Sequence, residues 1–151
     1  MLAAIRSAAI LGIEAYDVTV EVDAAPGLPQ WTMVGLPVGA VKESRERVGA
    51  ALANSGYKLP PRRVTVNLAP ADRPKSGTAF DLPIALGILV ATGQLDPQCI
   101  GNRIFAGELG LDGSLRAIRG ALPIARRAAA SPDIESIVIP QDNISEASRV
   151  E

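Results

Sequence analysis

The chain has 151 residues, of which 48% are hydrophobic and 21% charged, and its net charge at pH 7 is −1. This composition is typical of one globular domain and excludes a disordered chain. One cysteine and no histidine exclude an internal disulfide, a catalytic histidine and the usual zinc ligand sets. No apolar run reaches the ~20 residues of a membrane span. We therefore expect no metal site, no membrane partner and a reducing, cytoplasmic location.

The first third of the chain predicts three strands and a helix. Alternating apolar and polar residues indicate strands at 2–11 and 15–23, and "QWTMVGLP" indicates a third strand at 30–37. A helix follows at about 39–55, with Gly56 as its C-terminal stop. Its apolar face consists of Val41, Val48 and Leu52.

A polar loop separates the next strand and helix. The residues "RRVTVNLA" (62–69) predict a strand, and a helix that is apolar on every side follows at about 80–92. In the loop between them, Gly77 is expected to allow a close approach of backbone. Asp81 is expected to cap or charge-match the helix N-terminus, where Pro83 fits the first turn.

The last third adds more strands and two helices. We expect a strand over "RIFAGELG" (103–110), a hairpin turn centred on Asp112-Gly113, a helix at about 120–130 and a strand over "SIVIP" (136–140). A final helix begins at about residue 145. Its candidate N-caps are Asn143 and Ser145. Strands outnumber helices and pair as hairpins, so the sequence predicts an α+β fold with a mixed sheet and three or four helices.

Basic residues are concentrated in one stretch of the chain. Residues 42–75 contain eight Lys or Arg against three acids, a net charge of +5. Such a stretch is one candidate for a nucleic-acid-facing surface. The candidate contacts are Arg62, Arg63, Arg73 and Lys75. The alternative is an ordinary solvated helix, because Lys42–Glu46 and Glu43–Arg47 have the i,i+4 spacing of surface ion pairs.

The loop before the apolar helix does not match a nucleotide-binding motif. A Walker phosphate loop needs G-x-x-x-x-G-K-[ST], and "KSGT" has its lysine before the glycine. A Rossmann fingerprint is also missing. The sequence therefore predicts no nucleotide cofactor for this chain.

The same loop resembles the nucleophile loop of Lon-type proteases, and a later stretch resembles the region of the Lon lysine. "RPKSGTAF" (73–80) is similar to P-K-D-G-P-S-A-G, and "AGELGLDGSLRAIRGALPIARRAAA" (106–130) is similar to the stretch containing the catalytic lysine. The resemblance places the Lon serine at Ala79 and the Lon lysine at Leu122, which are 43 positions apart as in Lon. Alanine is no nucleophile and leucine no base, so the resemblance implies an inactive peptidase fold without catalytic residues.

Two other readings of the polar residues remain open. Ser76 and Lys75 could act as a serine–lysine dyad, although adjacent side chains rarely point at each other. Glu108 and Asp112 have the carboxylates needed for acid–base chemistry, but Asp112 fits a turn position better and Glu108 suits an ion pair with a nearby arginine.

Four motifs in register resemble one family over all 151 residues: the Mg-chelatase-like AAA+ ATPases of bacteria, the YifB or ComM competence-protein family. They are "NLAPAD" (67–72), "KSGTAFDLPIA" (75–85), "FAGELGLDG" (105–113) and "IRG" (118–120). The family motif residues are Asn67, Asp72, Lys75, Gly77, Phe80, Asp81, Glu108, Asp112 and Gly113. The resemblance implies a Lon-protease-domain-like fold, which also occurs in a ribosomal protein domain.

The resemblance also implies a context for the chain. Residues 1–151 would form one Lon-like (ChlI-like) N-terminal domain of a longer protein, with an AAA+ module after residue 151 that binds ATP and Mg²⁺. The expected partners are that module, neighbouring subunits of a homohexamer, and DNA, on which the ring drives branch migration during natural transformation. The alternatives are a stand-alone nucleic-acid-binding module using the basic strand and loop and, more remotely, a Ser–Lys peptidase.

Overall fold

The computed structural model describes residues 1–59 and 61–150, and these form eight strands and four α-helices. The strands are β1 (Leu2–Leu11), β2 (Glu14–Ala25), β3 (Gln30–Val34), β4 (Arg63–Ala69), β5 (Arg103–Phe105), β6 (Glu108–Leu109), β7 (Leu115–Arg116) and β8 (Ser136–Val138). The helices are α1 (Ser44–Asn54), α2 (Asp81–Ala91), α3 (Ala121–Ala129) and α4 (Ile144–Ala147). The predicted α+β fold is confirmed, and the arrangement is compatible with a Lon-protease-domain-like fold.

The main sheet has four strands in the order β1-β2-β4-β3. All neighbours are antiparallel except β3 and β4, which are parallel, so the sheet is mixed as predicted. Two further pairs stand apart from it: β5 with β8, parallel, and β6 with β7, an antiparallel hairpin. The alternation in β2 fixes the register, because Val18, Val20 and Val22 must all face the core.

Helix α2 covers the apolar face of the sheet. Nine of its eleven residues are buried, which explains why its sequence is apolar on every side. It lies very close to β2 at Gly87, where an added Cβ would stand 2.5 Å from a methyl group of Val22. Helix α3 packs on the opposite face of the sheet, where its Arg127 donates hydrogen bonds to the carboxylate of Asp17 in β2.

The predicted strand 103–110 is wrong in one respect, because it divides into β5 and β6. The chain leaves β5 at Ala106, whose N–H still donates to Val138 O (3.1 Å). Gly107 then donates to Ala79 O (2.8 Å) and accepts from the Leu82 N–H (3.1 Å). These bonds to the segment before α2 and to its first turn redirect the chain into the β6–β7 hairpin.

The predicted helix 39–55 also divides, into a 3-10 turn at Gly39–Glu43 followed by α1. Its apolar face is as expected, since Val41, Val48 and Leu52 are all buried.

Within the part of the chain that the structure describes, no helix combines the length and apolar character needed to cross a bilayer.

Candidate functional site

A cleft of about 570 Å³ lies where the end of β1, the loop 74–80 and the segment 117–120 meet. Its apolar wall consists of Ala8, Ala9, Ile10, Ile118 and Ile124. Glu108 and Arg119 supply the cleft's carboxylate and guanidinium groups. The backbone N–H groups of residues 76–80 donate to no other described residue.

The residues aligned with the Lon dyad add no reactive group to this cleft. Ala79 lines it with a methyl group and uses its carbonyl to accept from Gly107. Leu122 is half-buried at the start of α3, and its N–H donates to a carboxylate oxygen of Glu146 (3.2 Å). Of these two residues, the structure places Ala79 in the lining of the cleft and does not place Leu122 there.

Lys75 borders the cleft, but its ammonium is directed into the protein and only 1% of the residue's surface is exposed. Its ammonium donates to the carbonyl oxygens of Gly35 (2.9 Å), Leu68 (2.7 Å) and Pro70. Burial lowers the pKa of Lys75, while the three carbonyls take up its three N–H donors. The expectation that Lys75 contacts nucleic acid is wrong, because its charge is enclosed. Nor does its ammonium bond to the hydroxyl of Ser76, which is exposed.

Asp81 is buried at the start of α2 and pairs with Arg47 of α1. Its carboxylate accepts from Arg47 Nε (2.6 Å), Arg47 Nη2 (3.1 Å) and the Leu109 N–H (3.1 Å). Burial raises the pKa of Asp81 and the Arg47 hydrogen bond opposes this effect, whereas Asp81 raises the pKa of Arg47. Asp81 makes no capping hydrogen bond to α2, so that part of the expectation is wrong, but its carboxylate lies in the first turn of the helix, as expected for charge matching.

The remaining motif residues also have structural contacts. Asn67 donates to Glu21 Oε1 across the β2–β4 pair (2.8 Å), and Phe80 is buried in the core. Gly77 has φ +89° with open space where a Cβ would lie, so the loop needs its conformation and not the close approach predicted for it. Asp72 is exposed.

The β6–β7 turn confirms the prediction for Asp112. Its carboxylate accepts from the N–H and hydroxyl of Ser114, and these bonds lower the pKa of Asp112. Gly113 has φ +89°, and an added Cβ would clash with Ser55 Oγ, so the turn packs tightly on the C-terminal end of α1. Glu108 is half-buried at the cleft, and its carboxylate pairs with no described arginine, contrary to expectation.

The predicted basic surface is not assembled as one patch. Arg62 and Arg63 lie at the start of β4, whereas Arg73 follows its end, a strand length of roughly 20 Å away. The guanidinium of Arg73 stacks 4.9 Å from the ring centre of Tyr16. With Lys75 buried, these residues are divided between the two ends of the strand.

Sequence reasoning missed two residues that hold the walls of the cleft. The i,i+4 spacing predicted that Arg47 pairs with Glu43 at the surface, and the two side chains are 3.5 Å apart. The closer partner of Arg47 is Asp81, which is 34 positions away in the sequence. Asn143 precedes α4, yet its side chain does not cap that helix. Instead it donates to and accepts from the backbone of Ile118, at 2.9 Å each way. Both partners are distant in sequence, and no local pattern indicates them.

Metal binding has little support in the residues that the structure describes. Among positions 1–59 and 61–150, no group of three or more carboxylate or thiol side chains is placed to hold a metal ion. Cys99 is exposed.

The sequence matches a protein-family model described as subunit ChlI of Mg-chelatase, over residues 20–143. The chain belongs to this family. Within the ChlI family it is 46% identical over 149 residues to competence protein ComM of Haemophilus influenzae, and 45% identical over 145 residues to the protein YifB of Escherichia coli K12. A Mycobacterium tuberculosis protein is 41% identical over 145 residues.

These relatives are much longer than the chain. The alignments cover 99% of this chain but 29% of ComM, and 96% of this chain but 28% of YifB. The resemblance to ComM and YifB expected from the four motifs is therefore confirmed, and the chain is a domain of the ComM/YifB type of Mg-chelatase-like protein.

Proposed function

We propose that this chain is the non-catalytic N-terminal domain of a ComM-type AAA+ ATPase, and that it supports assembly of a hexameric ring on DNA. The observation that carries the non-catalytic part is the state of Lys75, the lysine that borders the cleft: its ammonium is enclosed by three carbonyls, while Ala79 contributes no hydroxyl to the cleft. A serine–lysine mechanism needs an amine free to accept the hydroxyl proton.

The place of this chain in a longer protein is supported by the relatives that it matches. ComM is named as a competence protein, and the chain corresponds to less than a third of its length. The AAA+ module of the longer protein would bind ATP and Mg²⁺. That module would use ATP to drive branch migration of DNA during transformation, and the protein would act in the cytoplasm. The contribution of this domain would be contact with the module and with neighbouring subunits.

Direct DNA binding by the basic residues is the less favoured reading. Strong, salt-dependent binding needs several cations gathered along a phosphate path. Here Lys75 is enclosed and Arg73 lies at the far end of β4 from Arg62 and Arg63.

The assembly role is tested in the longer protein with and without this domain. We expect deletion of residues 1–140 to abolish ATP-dependent ring formation in sedimentation velocity, while the deleted protein still binds ATP. Unchanged ring formation would contradict the proposal. A gel shift with the isolated chain separates the alternative, because salt-sensitive retardation that is lost in an Arg62→Glu, Arg63→Glu variant would favour the DNA-binding module.

The non-catalytic part is tested on the chain itself. We expect a fluorophosphonate probe to label none of its serines, since no described serine has a free amine base beside it. Labelling of Ser76 that disappears in Ser76→Ala would overturn this part of the proposal. Failure here would leave the assembly test unaffected, because the two experiments have separate readouts.

A further inference from the structure

We propose that the tip of the β1–β2 hairpin of one copy of this chain docks into the cleft of a second copy. The tip consists of Leu11, Gly12 and Ile13. This inference rests on the proposed assembly role and names a contact that would serve it.

The chemistry of the tip is unlike that of an ordinary turn. Two-residue hairpin turns usually contain polar residues such as Asn, Asp and Gly. Here Leu11 is 69% exposed and Ile13 is 83% exposed, and Ile10 beside them is 40% exposed. Large apolar side chains clustered at an exposed loop are typical of an interaction surface.

The chain cannot bury this tip by itself. The Leu11–Glu14 pairing closes the hairpin, and Ile10 is held against Gly120, where an added Cβ would stand 2.5 Å from Ile10 Cγ1. The hairpin is therefore fixed at the rim of its own cleft, with Leu11 and Ile13 directed to solvent. Both side chains are therefore available to a second molecule.

The cleft matches the tip in size and polarity. Its volume of about 570 Å³ is within the ~300–1,000 Å³ range of pockets that bind compact groups. Part of its wall is made of alanine and isoleucine side chains, and the N–H groups of its loop 76–80 donate to no described residue. The carbonyls of Gly12 and Ile13 accept from no described residue, so a docked turn would supply the acceptors.

Charge complementarity selects a second copy as the occupant. Glu14 follows the tip directly and Arg119 lines the cleft, and both are exposed. Among the described residues neither of them forms an ion pair. A docked tip would carry Glu14 with it to the rim of the second copy's cleft, and Arg119 lines that cleft. Opposite charges at the rim of an interface favour one register over others.

The contact would be small. A hairpin tip in a cleft buries less than the ~1,200 Å² of a stable interface, so the isolated chain would associate only weakly. The test must therefore detect transient contact. Disulfide trapping between two differently tagged chains does so, with the exposed native Cys99 replaced by serine in both.

One chain carries Ile13→Cys and the other Ala117→Cys, an exposed residue that lines the cleft. We expect their mixed disulfide to form about tenfold faster than that between Ala117→Cys and a Leu28→Cys chain. Leu28 is a matched control, because it is also an apolar loop residue and is 85% exposed. Equal rates for the two pairs would overturn the proposal.

Two second-site changes test the tip and the charge pairing. Leu11→Asp in the Ile13→Cys chain removes the remaining apolar anchor and is expected to slow trapping about tenfold. Glu14→Arg in that chain should also slow trapping, and Arg119→Glu in the cleft chain should restore it. Trapping that is unaffected by both changes would contradict the contact, even if the first comparison succeeded.

Failure of this contact is distinguishable from failure of the assembly role. If Ile13 and Leu28 are trapped equally but deletion of the domain still abolishes ring formation, assembly uses another surface. If deletion has no effect on ring formation while trapping is specific, the contact exists outside the ring.

Discussion

The two sides of the loop between β4 and α2, residues 70–80, differ in every chemical respect. On the inner side, the charged groups of Lys75 and of Asp81, the first residue of α2, are buried, and each makes three hydrogen bonds. On the outer side, Ala79 lines the cleft, and the N–H groups of residues 76–80 donate to none of the residues that the structure describes. The charged side chains of this motif, Lys75 and Asp81, therefore hold the loop in place, whereas the neutral Ala79 lines the cleft.

This difference shows how motif residues are to be interpreted. A lysine and an aspartate near a glycine-rich turn suggest catalysis, but catalysis requires that they face a substrate. Here both face backbone or a buried partner, which is the arrangement of residues that fix a conformation. The motif marks the shape of the cleft, and three substitutions test the comparison.

Replacing Asp81 by alanine should have the largest effect. It leaves the guanidinium of Arg47 without its buried partner and the Leu109 N–H without an acceptor, a change that typically costs ~3–5 kcal/mol of unfolding free energy. Urea denaturation measures it. Glu43→Ala is the control, since it removes the exposed partner of the same guanidinium and should cost less than about 1 kcal/mol. Similar losses for the two variants would contradict the buried pair.

Replacing Lys75 by methionine should have the next largest effect. The substitution keeps most of the apolar stem and removes the ammonium, so three buried carbonyls lose a charged donor, at a cost of about 2–3 kcal/mol. Lys42→Met, on the exposed 3-10 turn, is the matched control and should change the stability by less than about 0.5 kcal/mol. Equal urea midpoints for the two variants would show that the Lys75 ammonium is not bound as described.

The exposed pair of Arg127 and Asp17 should have the smallest effect on stability. Arg127 hydrogen-bonds Asp17 and lowers the pKa of that carboxyl below its ordinary value of 3.8. Native Asp17 therefore binds a proton less tightly than the unfolded chain does, and the stabilisation from the pair is complete above that ordinary value. It is lost as the pH falls through the lower native pKa.

We expect Asp17→Asn to lower the urea midpoint at pH 7 by less than either buried substitution, and the difference from the parent chain to disappear in acid. The control is Asp23→Asn in the same strand, whose carboxylate forms no ion pair with a described residue. A difference that persists below the titration range of aspartate would contradict the assigned pair.

Most of the fold could be predicted from the sequence, because its elements depend on local patterns. Alternation in "YDVTVEVDA" gives β2, and the apolar run beginning at Phe80 gives α2 to within a residue of its observed bounds. The Asp112-Gly113 turn was predictable for the same reason, since its contacts are within three residues.

The contacts that build the cleft could not be predicted in this way. The partner of Asp81 is 34 residues away, and that of Asn143 is 25 residues away. The burial of Lys75 depends on the ends of β3 and β4 meeting above it. Local patterns place such polar residues at the surface, whereas tertiary contacts decide that these three are enclosed.

The ammonium of Lys75 occupies a cage of backbone carbonyls much like the oxygen ligands that surround a bound metal cation in other loops. A free cation would exchange with the medium, and its loop would open whenever the ion was removed. The lysine is attached to the chain it organises and cannot dissociate. The loop 70–80 is therefore held by a charge that belongs to the chain, and we expect chelating agents to leave this loop in place.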